Sequence, residues 1–206
     1  GGVLLGGGGG GEHTRSGFGP AAQLRDGNGG SHAVMVPAGQ TGAMTDRPAV
    51  RSATPTDLTA TGRILAAAFV DDPVWTWLVG RDLVPARPSG RFFRTHATLA
   101  RRRGEVYLAG DDHAASVWAA PGHHGASVGD LGRVLPSALG LFRHRLPTAL
   151  RALNAVERVH PRESHWYLAV LGTEPAHQGR GLGSAAMRPV LDRCDVEGLP
   201  AYLESS

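Results

Sequence analysis

The sequence predicts a mixed α/β fold, and three observations carry that expectation. A strand-like run at 165–173 leads through a glycine-rich turn, Gln178-Gly179-Arg180-Gly181-Leu182-Gly183, into a helix-like run at 184–191. Two short β-forming runs, 105–109 and 115–119, flank Gly110-Asp111-Asp112-His113, which is a hairpin signature. Around these lie stretches whose apolar residues recur at helical spacing.

The elements follow in chain order. Residues 50–53 are a short strand candidate. Thr54 then caps a helix, with Pro55 at its first position and Asp57 in its first turn. Leu58, Ile64, Leu65, Ala68 and Phe69 supply its apolar face, and Asp71-Asp72-Pro73 stops it. Residues 74–79 read as a short helix or a loop, and Trp75 and Trp77 there fit core packing better than an acceptor pocket. A helix over 89–103 puts Phe92, Phe93, Leu99 and Ala100 on one side and ends at Gly104 in the C′ position. Arg101, Arg102 and Arg103 sit in its last turn, where positive charge suits the dipole.

After the hairpin comes a loop at 121–125. Its His123-His124 pair has no cysteine or carboxylate beside it and makes a poor metal site. Helices are expected over 128–141 and 147–159, with Leu146, Leu150, Leu153 and Val156 on the apolar face of the second and Arg143 and His144 in solvent between them. The run at 165–173 is the central strand, and 181–195 is a helix with Pro189 in its interior, at the cost of local distortion. Gly198-Leu199-Pro200 then turns the chain into a strand over 201–204.

Composition narrows the class. A chain of 206 residues permits one domain with a sizeable core. Residues 1–46 include six consecutive glycines and almost no apolar periodicity, so this stretch is expected to be a disordered extension ahead of a domain at 47–206. Gly1 is not an initiator, and Met44 is the expected start. Val3-Leu4-Leu5 is too short for a signal-peptide core and no apolar run approaches a membrane span, so the expected location is cytoplasmic with no membrane partner. A single cysteine, Cys194, excludes an internal disulfide framework and a cysteine-based zinc site; it fills a helix face. The net charge of +3 comes from arginine alone, because the chain has no lysine. Arg143, Arg145, Arg151 and Arg158 alternate with apolar residues as an amphipathic helix requires, without aromatic interleaving, so no nucleic-acid partner is expected.

Strand, glycine turn and helix start together make a place for an anionic phosphate. Glycine lets the main chain approach a ligand closely, and the unpaired N–H groups of the first helical turn point at the anion. A P-loop would need a lysine after its last glycine, and none follows Gly183. Gly181-Leu182-Gly183-Ser184-Ala185-Ala186 matches a dinucleotide fingerprint, with Glu204 at a suitable distance, but seven residues separate it from its strand. Gln178, Gly181 and Gly183 fit the acyl-CoA turn Gln/Arg-x-x-Gly-x-Gly/Ala.

The segment His165-Trp-Tyr-Leu-Ala-Val-Leu-Gly-Thr-Glu-Pro-Ala-His-Gln-Gly-Arg-Gly-Leu-Gly-Ser184 resembles motif A of the GNAT N-acetyltransferases, and more narrowly the puromycin N-acetyltransferase-like branch. Residues 50–58 through 64–73 resemble that branch's first strand and helix, and 198–205 its fifth strand. The resemblance implies a largely antiparallel sheet splayed at the cofactor strand, with helices on both faces. It implies acetyl-CoA as acyl donor, no metal, and transfer to the amine of a small molecule by direct attack in a ternary complex. Leu171, Gly172 and Thr173 would hydrogen-bond the pantetheine arm, and Gln178, Gly179, Arg180, Gly181, Leu182, Gly183 and Ser184 would hold the diphosphate. A main-chain N–H near Thr173 would polarise the thioester carbonyl, and Glu204 is the first candidate for the base, ahead of Glu174. Tyr107 and Tyr202 are better explained by strand packing than as acids. The family's usual acid is a tyrosine in an Asn-x-x-x-Phe-Tyr-x-x-x-Gly-Phe segment after the fifth strand, which the 206 residues do not contain. The expectation is therefore a domain lacking its last strands, and a CoA-binding domain without turnover is the alternative. A homodimer is compatible with the sequence.

Overall fold

The computed structural model describes residues 48–80, 86–123 and 128–203. Among the described residues five strands make one sheet in chain order: β1 (Val50–Ser52), β2 (Gly104–Ala109), β3 (Ala114–Ala119), β4 (Trp166–Thr173) and β5 (Ala201–Tyr202). The first three pairings are antiparallel, and β5 joins β4 in parallel. Six α-helices accompany them among the described residues: α1 (Leu58–Ala68), α2 (Pro73–Val79), α3 (Ala86–Arg103), α4 (Val128–Phe142), α5 (Leu146–Val159) and α6 (Leu182–Glu197). The mixed, largely antiparallel fold expected from the sequence is the fold observed. The stretch at 1–46 lies outside the described residues.

Local chemistry explains most of these elements. Thr54 and Asp57 form a capping box, with the Thr54 N–H donating to Asp57 Oδ2 at 2.7 Å, and the chain enters α1 through a 3-10 turn at Pro55–Asp57. The Asp72 carboxylate accepts from the Trp75 N–H at 2.7 Å and caps α2, so 74–79 is helix and not loop. The hairpin turns through Gly110, Asp111 and Asp112, all at positive φ. Gly198, also at positive φ, closes α6 as its C-cap.

Gly104 departs from expectation. It does not cap α3 but opens β2, opposite Ala119. A Cβ there would lie 2.1 Å from the Trp118 carbonyl oxygen. Close approach of β3, not a left-handed backbone, excludes a side chain at this position.

The sheet buries both faces. On one, Ile64 and Leu65 of α1, Phe69 just after it and Phe93 of α3 pack with Val106, Leu108, Val117 and Val170. Trp75 belongs to this core, stacked on Phe93 with ring centroids 4.7 Å apart, while Trp77 is exposed. On the other face Leu182, Ala186, Val190 and Cys194 of α6 pack with Leu168 and Leu171. α4 and α5 are less committed. Leu150 and Leu153 of the predicted apolar face are 45% and 38% exposed, as are Leu131, Leu135 and Leu139 of α4 at 43–54%. Helical spacing located α5 correctly, but its stripe does not turn toward the sheet. Among the described residues no helix is long and apolar enough to cross a membrane.

Candidate functional site

β4 is the strand on which the site is built. Ser116 pairs with Leu171 and Val117 with Val170, but Trp118 pairs with Leu168, so Ala169 is an extra residue on β4. This bulge shifts the alternation of side chains by one. Trp166 and Leu168 before it, and Leu171 and Thr173 after it, therefore share the α6 face.

The same pairing shows which main-chain groups are spoken for. Glu174 N–H donates to His113 O at 2.9 Å, so in the antiparallel ladder Gly172 also turns its polar groups to β3. Leu171 and Thr173 turn theirs to the opposite edge. There β5 pairs only with Trp166 and Tyr167 among the described residues. Beyond Tyr167, β4 has no strand beside that edge among the described residues. Gly172 has a packing role of its own, since a Cβ there would lie 2.7 Å from the Ala68 Cβ.

The glycine turn follows that edge. Gly179 and Gly181 have φ of 75° and 74°, and a Cβ on either would meet nothing within 4 Å. The first amide to bond back into α6 is Ala185 N–H, to Gly181 O at 2.9 Å. The amides of Leu182, Gly183 and Ser184 precede that ladder. Those of Gly179, Arg180 and Gly181 make no main-chain hydrogen bond among the described residues. Gly179, Arg180, Gly181 and Ser184 are exposed, and Leu182 is buried as the turn's anchor, its side chain tucked beneath Gly110. The Gln178 side-chain amide donates to Thr173 O at 3.3 Å and folds the turn back on the strand end. Open space, amides without a main-chain partner among the described residues and a helix dipole therefore coincide at one place.

Glu174 braces this turn. It pairs with Arg63 of α1 at 2.5 Å and with His113 Nδ1 at 2.8 Å. Burial pushes its pKa up, but the hydrogen bonds from His113 and Arg63 outweigh this and hold it below the ordinary glutamate value. The carboxylate is thus engaged in joining α1, β3 and β4. His113, Glu174 and His177 also bring zinc-type ligand atoms within 4.8 Å of one another, a juxtaposition that sequence spacing did not suggest. However, the two imidazoles lie parallel, 8° apart with centroids 3.5 Å apart. An ion needs to lie in the plane of each ring it binds, and it can lie in only one of two parallel planes. One ring must rotate before this set could chelate.

A second group escaped the sequence reading. His160, after α5, meets His165, Tyr167 and Tyr202 where β4 and β5 begin, with ring centroids 4.8–5.1 Å from His160. Nothing in the local sequence signals this, because the four residues come from three separate segments. Tyr202 is buried in this cluster. Tyr107 on β2 lies beside Arg193, and burial raises its pKa. Glu204, the expected base, lies outside the described residues. A groove of about 470 Å³ lined by Arg91, Arg94 and Arg133 between α3 and α4 shares no residue with the turn.

Among the described residues, a strand edge without a neighbouring strand thus leads to helix-start amides without main-chain partners. The model of the acetyltransferase (GNAT) family matches residues 143–206, which contain α5, β4 and α6. The chain is 30% identical over 156 residues to an uncharacterized N-acetyltransferase of Schizosaccharomyces pombe, a match covering 69% of this chain and 62% of that protein. It is similar in structure to a Corynebacterium glutamicum protein described as histone acetyltransferase HPA2 and related acetyltransferase, with a TM-score of 0.54, 22% identity and 71% of each chain covered. Together these findings support the GNAT acetyltransferase family, and the structural match is one of fold. The chain spans about three fifths of the length of its yeast relative.

Proposed function

We propose that this chain transfers an acetyl group from acetyl-CoA to the amine of a small molecule, by direct attack within a ternary complex. The observation that carries this reading is the Gln178–Gly183 turn, exposed at Gly179 to Gly181, where the amides without main-chain partners among the described residues continue from the edge of β4 that no described strand covers. Residues 47–206 would form the acetyltransferase domain. The diphosphate would sit on the amides of Gly179 to Ser184, with Arg180 adding charge. The pantetheine arm would run along β4, bonded by the outward-facing main-chain groups of Leu171 and Thr173. Gly172 would contribute by keeping α1 close behind the strand. At about 3.3 Å per residue, an arm laid from Thr173 to the bulge at Ala169 covers about 13 Å. The thioester would therefore lie nearer the bulge than the strand end. An outward amide there can donate to the oxyanion that forms as the amine attacks.

The resemblance to the puromycin N-acetyltransferase-like branch and the N-acetyltransferase description of the yeast relative both favour an amine acceptor. No metal is required for such a step, since positioning, amine deprotonation and oxyanion stabilisation suffice. The test is acetyl-CoA turnover with a panel of primary amines, followed by release of free thiol. Amine-dependent thiol release with formation of the acetamide is the expected result. CoA binding without thiol release would instead support a CoA-binding domain without turnover. Absence of CoA binding would remove the proposal altogether.

A further inference from the structure

We propose that the outer side of α4 is a docking surface for an anionic lipid bilayer, with Leu131, Leu135 and Leu139 entering the headgroup layer and the arginine groove between α3 and α4 receiving lipid phosphate. The proposal stands apart from the acetyl-transfer reading and needs no part of it.

The first argument is a helix that is apolar well beyond its buried side. Ala138, Leu141 and Phe142 of α4 belong to the core that α1 and α3 share, and Val134 packs against it. Leu131, Leu135 and Leu139 recur every fourth residue along the helix and are exposed. Gly132, Pro136 and Gly140 are exposed beside them. From Val134 to Phe142 the helix has no charged residue. A helix apolar on nearly all sides is normally covered on all of them. α5 behaves similarly: Leu146 and Ala149 pack on the same core, while Leu150 and Leu153 stay exposed.

The second argument is charge. Residues 131–156 contain no aspartate or glutamate, and Arg133, Arg143, Arg145 and Arg151 lie among them. α3 has no acidic residue either. Arg91 and Arg94 of α3 and Arg133 of α4 line the groove of about 470 Å³ together with Leu99 and Pro136, so Pro136 joins the groove to the apolar strip. Arg91 and Arg94 have no ion pair among the described residues. Arg133 lies 4.0 Å from Asp130, which is nearer to Arg103 at 3.1 Å.

These two properties select the occupant. Leucines fringed by arginines without acidic partners match hydrocarbon beneath anionic headgroups. Arginine stems can lie along the apolar layer while the guanidinium groups stay with phosphate. A second copy fits badly, because in a two-fold dimer the face meets itself. Arg133, Arg143 and Arg151 would then oppose the same set, with no carboxylate from 131–156 to answer them. Nucleic acid would use the arginines and leave the leucines uncovered. The expectation of no membrane partner rested on the lack of a long apolar run. The lack of a spanning helix among the described residues bears on crossing a bilayer, not on lying against one. α6 packs in the core on the other face of the sheet, so docking through α4 does not cover it.

The test is co-sedimentation of the full chain with two kinds of vesicle, phosphatidylcholine alone and equal parts phosphatidylcholine and phosphatidylglycerol. The chain should pellet with the mixed vesicles and not with the neutral ones, and binding should weaken steeply as salt rises. Neither readout needs a variant. Leu135→Ser combined with Leu139→Ser should weaken binding about tenfold or more. Arg91→Gln combined with Arg94→Gln should weaken it about 25-fold, at about fivefold for each charge. Arg188→Gln, on α6, should change it little. The four side chains replaced on α3 and α4 are exposed, so these variants should keep the parent's Tm. Equal pelleting with both kinds of vesicle, or with neither, overturns the proposal. So does a dimer that the leucine variant dissociates while vesicles fail to bind, since a second copy would then cover the face. Inorganic phosphate bound in the groove, or DNA bound regardless of the leucine changes, overturns it likewise if the mixed vesicles stay unbound.

Discussion

Replacing Gly181 with alanine separates backbone strain from ligand contact. Gly181 sits at φ 74° with nothing within 4 Å of an added Cβ, so the protein itself imposes only the left-handed penalty, about 1–2 kcal/mol for an L-residue. For a domain of this size that lowers Tm by about 2–8 °C. Gly122 provides a matched control. Its φ is 75° and its Cβ position is equally open, but it follows β3 at the end of the sheet away from the turn. Gly181→Ala and Gly122→Ala should therefore lose similar stability by differential scanning calorimetry. They should diverge in CoA binding. On the proposed assignment a methyl group at 181 would stand where the diphosphate approaches, and loss of one amide hydrogen bond to the charged phosphate, worth about 1.5–3 kcal/mol, would weaken Kd about tenfold or more. Isothermal titration with CoA is the assay. Equal affinity in the two variants, with equal Tm, would refute the assignment of the turn.

Three more outcomes can be measured. Gly172→Ala forces a Cβ to within 2.7 Å of the Ala68 Cβ, so overpacking should cost about 1–3 kcal/mol in urea unfolding, with partial rescue by Ala68→Gly. Glu174 has a folded pKa below its ordinary 4.5, so the unfolded chain binds more protons in that window, and stability present above pH 4.5 is lost as pH falls through it. Glu174→Gln should show a flatter stability curve below pH 5, and an unchanged slope would mean that the Arg63–Glu174–His113 brace is not formed in solution. Burial pushes the Cys194 thiol up to about 11, so the folded chain should react with a disulfide reagent far more slowly than the chain in denaturant; comparable rates would place Cys194 at the surface.

The sequence by itself determined several elements whose signal is local. The helix start at Thr54, the hairpin through Gly110 to Asp112 and the glycine turn before α6 depend on hydrogen bonds or φ values set within a few residues, and those leave residue types at fixed spacing, whereas Asp72 read only as the stop of α1 and its cap on α2 became evident in the structure. Gly104 shows where that logic fails, because the contact that excludes a side chain there comes from β3, fourteen residues on. The bulge at Ala169, the free edge of β4 and the Arg63–Glu174–His113 brace are likewise relations between strands and helices distant along the chain. The meeting of His160, His165, Tyr167 and Tyr202 is of the same kind. Side-chain identity at each position is compatible with many partners, and only packing of the whole sheet selects one set. That is why the glycine turn was legible in the primary structure, whereas the meeting of these four side chains emerged only when β4 and β5 were placed side by side.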